Sequence, residues 1–323
     1  MNAAQRNILA ALAAVAFAAP VLAQPTKKTP PPPQAVPAQP LPSNADLAYG
    51  AFQRGYYLTA LAEATKNAQK NDPAAMTLLG ELYAQGLGVG RNDTKAAEWY
   101  KLAASHGDRD AMFALAIFNL EGRGGPRNAD EAARLLASAA KLGHPAAAYD
   151  LGLLYLQGQQ FPKDFVRAAE LFKQAASAGN SEAQYALATM YKEGRGVPKD
   201  INEAARLMGL ASVAGNLDAM VEYAIAEFNG DGIGKNEAAA ANLFLAAARR
   251  GSPIAQDRLS RIYMAGRGLP ADPTEAVKWH IIAKAGGASD PDLDLFVSQQ
   301  RSDVREAAEK AAKKWLSTAT PRS

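Results

Sequence analysis

Between residues 75 and 290 small and apolar side chains recur with a period of 36 residues and no insertion. Alanine opens each copy at Ala75, Ala111, Ala147, Ala183, Ala219 and Ala255, and two further alanine columns run from Ala96 to Ala276 and from Ala103 to Ala283. Glycine punctuates them at Gly86, Gly122, Gly158, Gly194, Gly230 and Gly266, and a second series runs from Gly107 to Gly287. The spacing predicts two helices per copy. Helix A covers about 73–85 in the first copy and ends at Gly86, a residue free to take the left-handed C′ conformation. A turn such as Gly194-Arg195-Gly196-Val197-Pro198-Lys199 reverses the chain. An Asn or Asp column (Asn92, Asn128, Asp164, Asp200, Asn236, Asp272) caps helix B, with Glu131, Glu203 and Glu275 three residues on as capping-box partners. Helices this short are marginal alone, so the copies must stack. In the turn, the column of Gly194 is invariant, whereas that of Gly196 holds Gln160 in one copy. Gly194 is therefore expected to be the stricter position.

The run Ala183-Gln184-Tyr185-Ala186-Leu187-Ala188-Thr189-Met190-Tyr191-Lys192-Glu193-Gly194-Arg195-Gly196-Val197-Pro198-Lys199-Asp200, with Ala96-Ala97-Glu98-Trp99-Tyr100-Lys101-Leu102-Ala103-Ala104 for helix B, resembles the Sel-one-like repeat, a cousin of the tetratricopeptide repeat. The resemblance implies an all-α fold, a right-handed α-solenoid of antiparallel helix pairs over residues 45–317. Residues 45–74 read as an entry repeat truncated around Gly55, residues 75–290 as six full copies, residues 291–317 as capping helices with an amphipathic stretch from Asp303 to Leu316, and 318–323 as a tail.

The flanks carry an address. Residues 1–23 place Arg6 before an apolar stretch from Ile8 to Ala19 and end in Val21-Leu22-Ala23, the arrangement of a cleavable secretory signal; the stretch is too short to span a bilayer. Residues 24–44 hold eight prolines and read as an extended linker.

Composition narrows the function. Alanine is 72 of 323 residues and aromatics only 7%, which favours close-packed helices over sheets. The net charge of +3 is scattered, so no nucleic-acid-binding stripe is expected. Cysteine is absent, which excludes disulfides, thiolate metal sites and a cysteine nucleophile, and three histidines make no metal centre, so neither metal nor cofactor is expected. Ser138-Ala139-Ala140-Lys141 has the S-x-x-K spacing of serine β-lactamases, and a cysteine-rich branch of the family has been linked to penicillin binding, but both residues fall within helix B and no S-D-N or K-T-G partner follows. Asp290-x-Asp292-x-Asp294 imitates the start of a calcium loop but continues with Leu295 and reaches Arg301 at the twelfth position, so it reads as a helix start. His106 and His144 read as solvated, and His280, in the column of Tyr100 and Phe172, as packed and hydrogen-bonded.

With no catalytic residue assigned, a surface remains. One helix-A row reads Met76-Gly80-Ala84, Met112-Ala116-Leu120, Ala148-Gly152-Leu156, Gln184-Ala188-Lys192, Met220-Ala224-Phe228 and Gln256-Ser260-Met264. The resemblance implies polar residues at its first and third columns; here Met76, Met112, Leu120, Leu156, Met220, Phe228 and Met264 make them apolar. Such a row suits either a groove for an amphipathic partner helix or ordinary interhelix packing. The column of Tyr83, Tyr155, Tyr191 and Tyr263 becomes Asn119 in the second copy and Glu227 in the fifth, and Glu227 reads as a partner contact or a solvated irregularity.

The expected function is a non-enzymatic periplasmic scaffold or regulator, monomeric, with a protein or peptide partner and no membrane span in the mature chain. The alternative is a cell-wall-active enzyme or peptidoglycan-binding module. Cleavage after Ala23 leaves 34 basic against 32 acidic residues. N-terminal sequencing of the exported protein is expected to begin near Gln24; a product that retains Met1 overturns the signal assignment.

Overall fold

The computed structural model describes residues 47–319 except Gln159; the expected signal and linker lie outside the described residues. The chain divides between Ala132 and Ala133 into two compact units. The first contains α1 (Leu47–Gln53), α2 (Tyr57–Ala68), α3 (Pro73–Gln85), α4 (Asp93–Ser105), α5 (Arg109–Glu121) and the start of α6 (Ala129–Lys141). The second continues through α7 (Pro145–Gln157), α8 (Phe165–Ser177), α9 (Ser181–Glu193), α10 (Ile201–Val213), α11 (Leu217–Asn229), α12 (Glu237–Arg249), α13 (Pro253–Ala265), α14 (Pro273–Ala285), α15 (Pro291–Ser298) and α16 (Ser302–Ala319). Among the described residues every regular element is a helix. Odd-numbered helices from α3 to α13 are the A helices and even-numbered ones from α4 to α14 the B helices.

Each end of a helix has a physical cause. Gly86, Gly122, Gly158, Gly194, Gly230 and Gly266 all take the left-handed C-cap conformation that stops helix A. The Asn/Asp column accepts the N–H three residues on, as in Asp200 from Glu203 at 3.0 Å. The reciprocal half of the expected capping box does not form. The N–H of the cap residue is taken by the helix-A carbonyl of the tyrosine column: Asn92 donates to Tyr83 at 2.8 Å, Asp200 to Tyr191 at 3.0 Å and Asp272 to Tyr263 at 3.1 Å. This bond closes the AB loop and frees the glutamates for other work; Glu203 binds Arg206, and Glu275 binds Lys278 and the Trp279 indole.

A second capping column is built before every A helix. Asp72, Asp108, His144, Asn180, Asn216 and Ser252 each accept a first-turn N–H through the side chain. His144 is thus not merely solvated: its Nδ1 accepts from Ala147 at 3.1 Å, which fixes that nitrogen as unprotonated.

The two turn glycines reverse the expected ranking. A Cβ on Gly194 would lie 3.3 Å from the nearest side-chain atom, whereas one on Gly196 would lie 2.1 Å from the Phe165 carbonyl oxygen. The same approach recurs at Gly88, Gly124, Gly232 and Gly268, each against the backbone of the residue that opens the preceding B helix. The second glycine therefore sets how closely consecutive repeats pack. In the third copy this column holds Gln160, and its neighbour Phe161 stacks on Tyr155 at 4.9 Å.

An arginine between the turn glycines reinforces the junction. Arg123 forms two bonds to Asp93 at 2.8 and 3.2 Å and lies 4.1 Å over Phe118; Arg267 likewise binds Glu237. Where the B helix opens with Phe165, Arg195 lies over its ring at 5.9 Å. In the C-terminal segment Ala308 and Ala312 are fully buried, and Trp315 meets Trp279 edge-on at 6.0 Å.

Gly196→Ala is expected to cost about 3 kcal/mol or more, because backbone strain and a backbone clash add, against about 1 kcal/mol for Gly194→Ala. Denaturant unfolding of both variants checks the order; equal losses refute the assignment of the second glycine to the repeat junction.

Candidate functional site

The helix-A row is divided by the fold. Its first column abuts the last turn of the preceding B helix. Gln184 donates to the Ala176 carbonyl at 3.3 Å and Gln256 to that of Ala248 at 3.1 Å, and Met76 is 1% exposed within the core of the first unit. Met76 is thus core and not surface. Met112 and Met220 are half-buried, with Met220 packed against the core of the second unit. The middle column faces the B helix of its own copy: a Cβ on Gly80 would lie 2.5 Å from the Tyr100 ring, and one on Gly152 would lie 2.6 Å from Phe172. Small residues here make room for those two aromatic rings. Ser260 uses its space to donate to the Ala276 carbonyl at 2.7 Å.

The third column lies nearer the margin in most copies. Leu120, Leu156, Phe228 and Met264 are half-buried, and Lys192 pairs with Glu222 of the following A helix at 2.7 Å. Phe228 lies under the Arg267 guanidinium at 4.5 Å, so a cation of the next repeat already covers it. Interhelix packing thus accounts for Met76, Met220 and the middle column, and what remains available to a partner is narrower than the sequence pattern suggested.

The residues with apparent chemistry have structural employment. Ser138 lies on the exposed side of α6 and donates to the Arg134 carbonyl at 3.0 Å. Asp290 caps α15 by accepting from Asp292 and Leu293, and Asp294 receives Lys284 at 2.7 Å and His280 Nε2 at 2.8 Å. His280 is buried, as its column requires. Among the described residues no three metal-ligating side chains converge, and no helix is long and apolar enough to cross a membrane.

Several carboxylates are shifted from their ordinary range, and three of them bear on the site. Asp93, bonded by Arg123 and Arg91, is held down at about 2. Asp150, buried on α7 where the first copy has Leu78, is pushed up to about 7 by desolvation. Burial also raises Glu227, which is half-buried on α11. Neither Asp150 nor the N-cap column before helix A was read from the sequence. The caps were legible, since a polar residue follows each glycine of the series from Gly107 to Gly251; the burial of Asp150 was not.

A family model described as Sel1 repeat matches six consecutive segments, 73–108, 109–144, 145–180, 181–216, 217–252 and 253–287. The chain is similar to a solved Sel1 repeat protein from Oxalobacter formigenes, with 29% identity and a TM-score of 0.64 over 76% of this chain and 100% of that one. A protective antigen of uropathogenic Escherichia coli displaying an SLR fold is similar at 23% identity and a TM-score of 0.56, over 85% of this chain and 68% of that one. No curated protein matches the chain.

A carboxyl raised by folding is stabilising while protonated, so the contribution of Asp150 is complete below about pH 4 and is lost as pH rises through 7. Asp150→Asn is expected to flatten the decline in stability between pH 5 and 8.5 and to add about 2–4 kcal/mol at the alkaline end. Thermal melts across that range check it; parallel wild-type and variant curves refute it.

Proposed function

Because the chain belongs to the Sel1 repeat family, whose repeats generally mediate protein–protein interaction, we propose that it is an exported, periplasmic scaffold or regulator that binds another protein and carries out no chemistry of its own. The observation that carries this reading is the unbroken run of six matched repeats from 73 to 287. Each copy buries its alanine columns and leaves other positions of its two helices at the surface, so position-specific side chains are displayed repeat by repeat. The family match indicates no catalytic family. Ser138, the serine of the S-x-x-K spacing, gives its proton to a helix carbonyl and has no claim on a nucleophile's role.

Export supports the same reading from the sequence side. A signal-like segment followed by a proline-rich tether delivers a nearly neutral, cysteine-free domain to an oxidising compartment, where the absence of thiols is no handicap.

Immobilised protein from Gln24 onward, incubated with periplasmic extract, is expected to retain a defined protein that elutes with competing soluble chain. Retention of peptidoglycan fragments with no protein overturns the scaffold reading in favour of a cell-wall-binding module.

A further inference from the structure

The fourth and fifth repeats break the periodicity in one place. One column holds leucine in five copies (Leu79, Leu115, Leu151, Leu187, Leu259) and Tyr223 in α11. Opposite it on α10 stands Gly209, where other copies carry Lys101, Ala137, Lys173, Leu245 or Ile281; a Cβ there would come within 3.1 Å of the Tyr223 ring. One turn on, Ser212 replaces the alanine of four other copies, and Val213 replaces residues such as Ser105, Lys141 and Arg249. These departures line a single cleft of about 490 Å³ bounded by α10, α11, α12 and the Gly232-Ile233 turn. Its apolar wall is open to solvent, with Val213 91% and Leu210 45% exposed.

Glu227 lies one turn beyond Tyr223 on the same face of α11. Its column holds Asn119 in the second copy and a tyrosine in the four others, and three of those tyrosines lie close to a cation of their own B helix: Lys95 lies 5.4 Å from the Tyr83 ring, and Arg167 and Arg206 sit within the fields of Tyr155 and Tyr191. In the fifth copy the columns of Lys95 and Arg206 hold Ala239 and Asn242. Glu227 is therefore a half-buried acid whose side chain has no hydrogen-bond or ion-pair partner among the described residues, and its charge acts on Tyr223. The cation at the cleft rim, Arg206, is already satisfied by Glu203 through two bonds of 2.7 Å.

We propose that this cleft receives a lysine or arginine side chain of a partner polypeptide, its aliphatic stem against Leu210 and Val213 and its cation between the Tyr223 ring and the Glu227 carboxylate. The inference rests on the protein-binding reading and deepens it. An apolar occupant would complete the desolvation of Glu227 with nothing to offset it, whereas a cation supplies the missing partner and gains the ring face. The chain as a whole carries +3, so its overall field does not draw in a basic peptide and the attraction must be local.

The probe is a nonapeptide with one central lysine in a serine-glycine background, titrated into nitrogen-15-labelled full chain beside its norleucine counterpart. The lysine peptide is expected to give saturable shifts of the Gly209 and Gly232 amide signals, with the norleucine peptide roughly three- to ten-fold weaker. Glu227→Gln is expected to abolish that preference without lowering the melting temperature. Gly209→Lys, which restores the residue of the first copy, is expected to remove binding of both peptides. Equal binding of the two peptides, no shift with either, or the same loss in Glu193→Gln overturns the proposal. If the protein retained from periplasmic extract is still captured in that event, the cleft assignment falls and the scaffold reading stands; if capture itself fails, the scaffold reading falls instead.

Discussion

The fold depends on one close approach between backbones. The second glycine of each AB turn lies against the residue that opens the preceding B helix, so closely that a Cβ would sit 2.1–2.9 Å from its carbonyl group at Gly88, Gly124, Gly196, Gly232 and Gly268. No side chain fits that gap, and the left-handed backbone there suits glycine for a second reason. A helix of 13 residues gains too little from its own hydrogen bonds to stand alone, so this contact decides whether one repeat supports the next. The arginine between the glycines exploits the proximity, reaching Asp93 or Glu237 where an acid opens the helix and the ring of Phe165 where none does.

Around that contact the backbone polar groups are accounted for with economy. Helix A begins on a side-chain cap and ends on a left-handed glycine, and helix B begins on an Asn or Asp whose own N–H returns to helix A. The loop is thereby closed at both edges. Buried glutamines, Gln184 and Gln256, take the last carbonyls of the preceding B helix, where Met76 fills the same column by packing alone. Interior positions so committed have little freedom to encode a partner.

Recognition then falls to the places where the repeat is not obeyed. Tyr223, Gly209 and Glu227 each depart from their columns, and the fold gathers the first two into one cleft with the acid a turn away. Asp150 is a departure of another kind, a carboxyl buried where the first copy has Leu78, and it makes stability depend on pH near neutrality.

The sequence by itself determined the period, the helix boundaries, the C-cap glycines and the Asn/Asp caps, because these are local effects that a chain expresses wherever it lies. It also determined the family, since the repeat signature is a list of such local choices. The tertiary structure alone decided which of two glycines is indispensable, because the close approach to the preceding B helix is invisible in the order of residues and Gln160 makes that column look tolerant. It decided that Met76 is core and that Phe228 lies beneath Arg267, because a helical row says which residues share a face and not what that face meets. It decided the fate of the capping box, whose N–H had a better acceptor 36-residue periodicity could not reveal, the carbonyl of Tyr191. Local geometry is written in the order of residues; proximity between repeats exists only once the helices have packed.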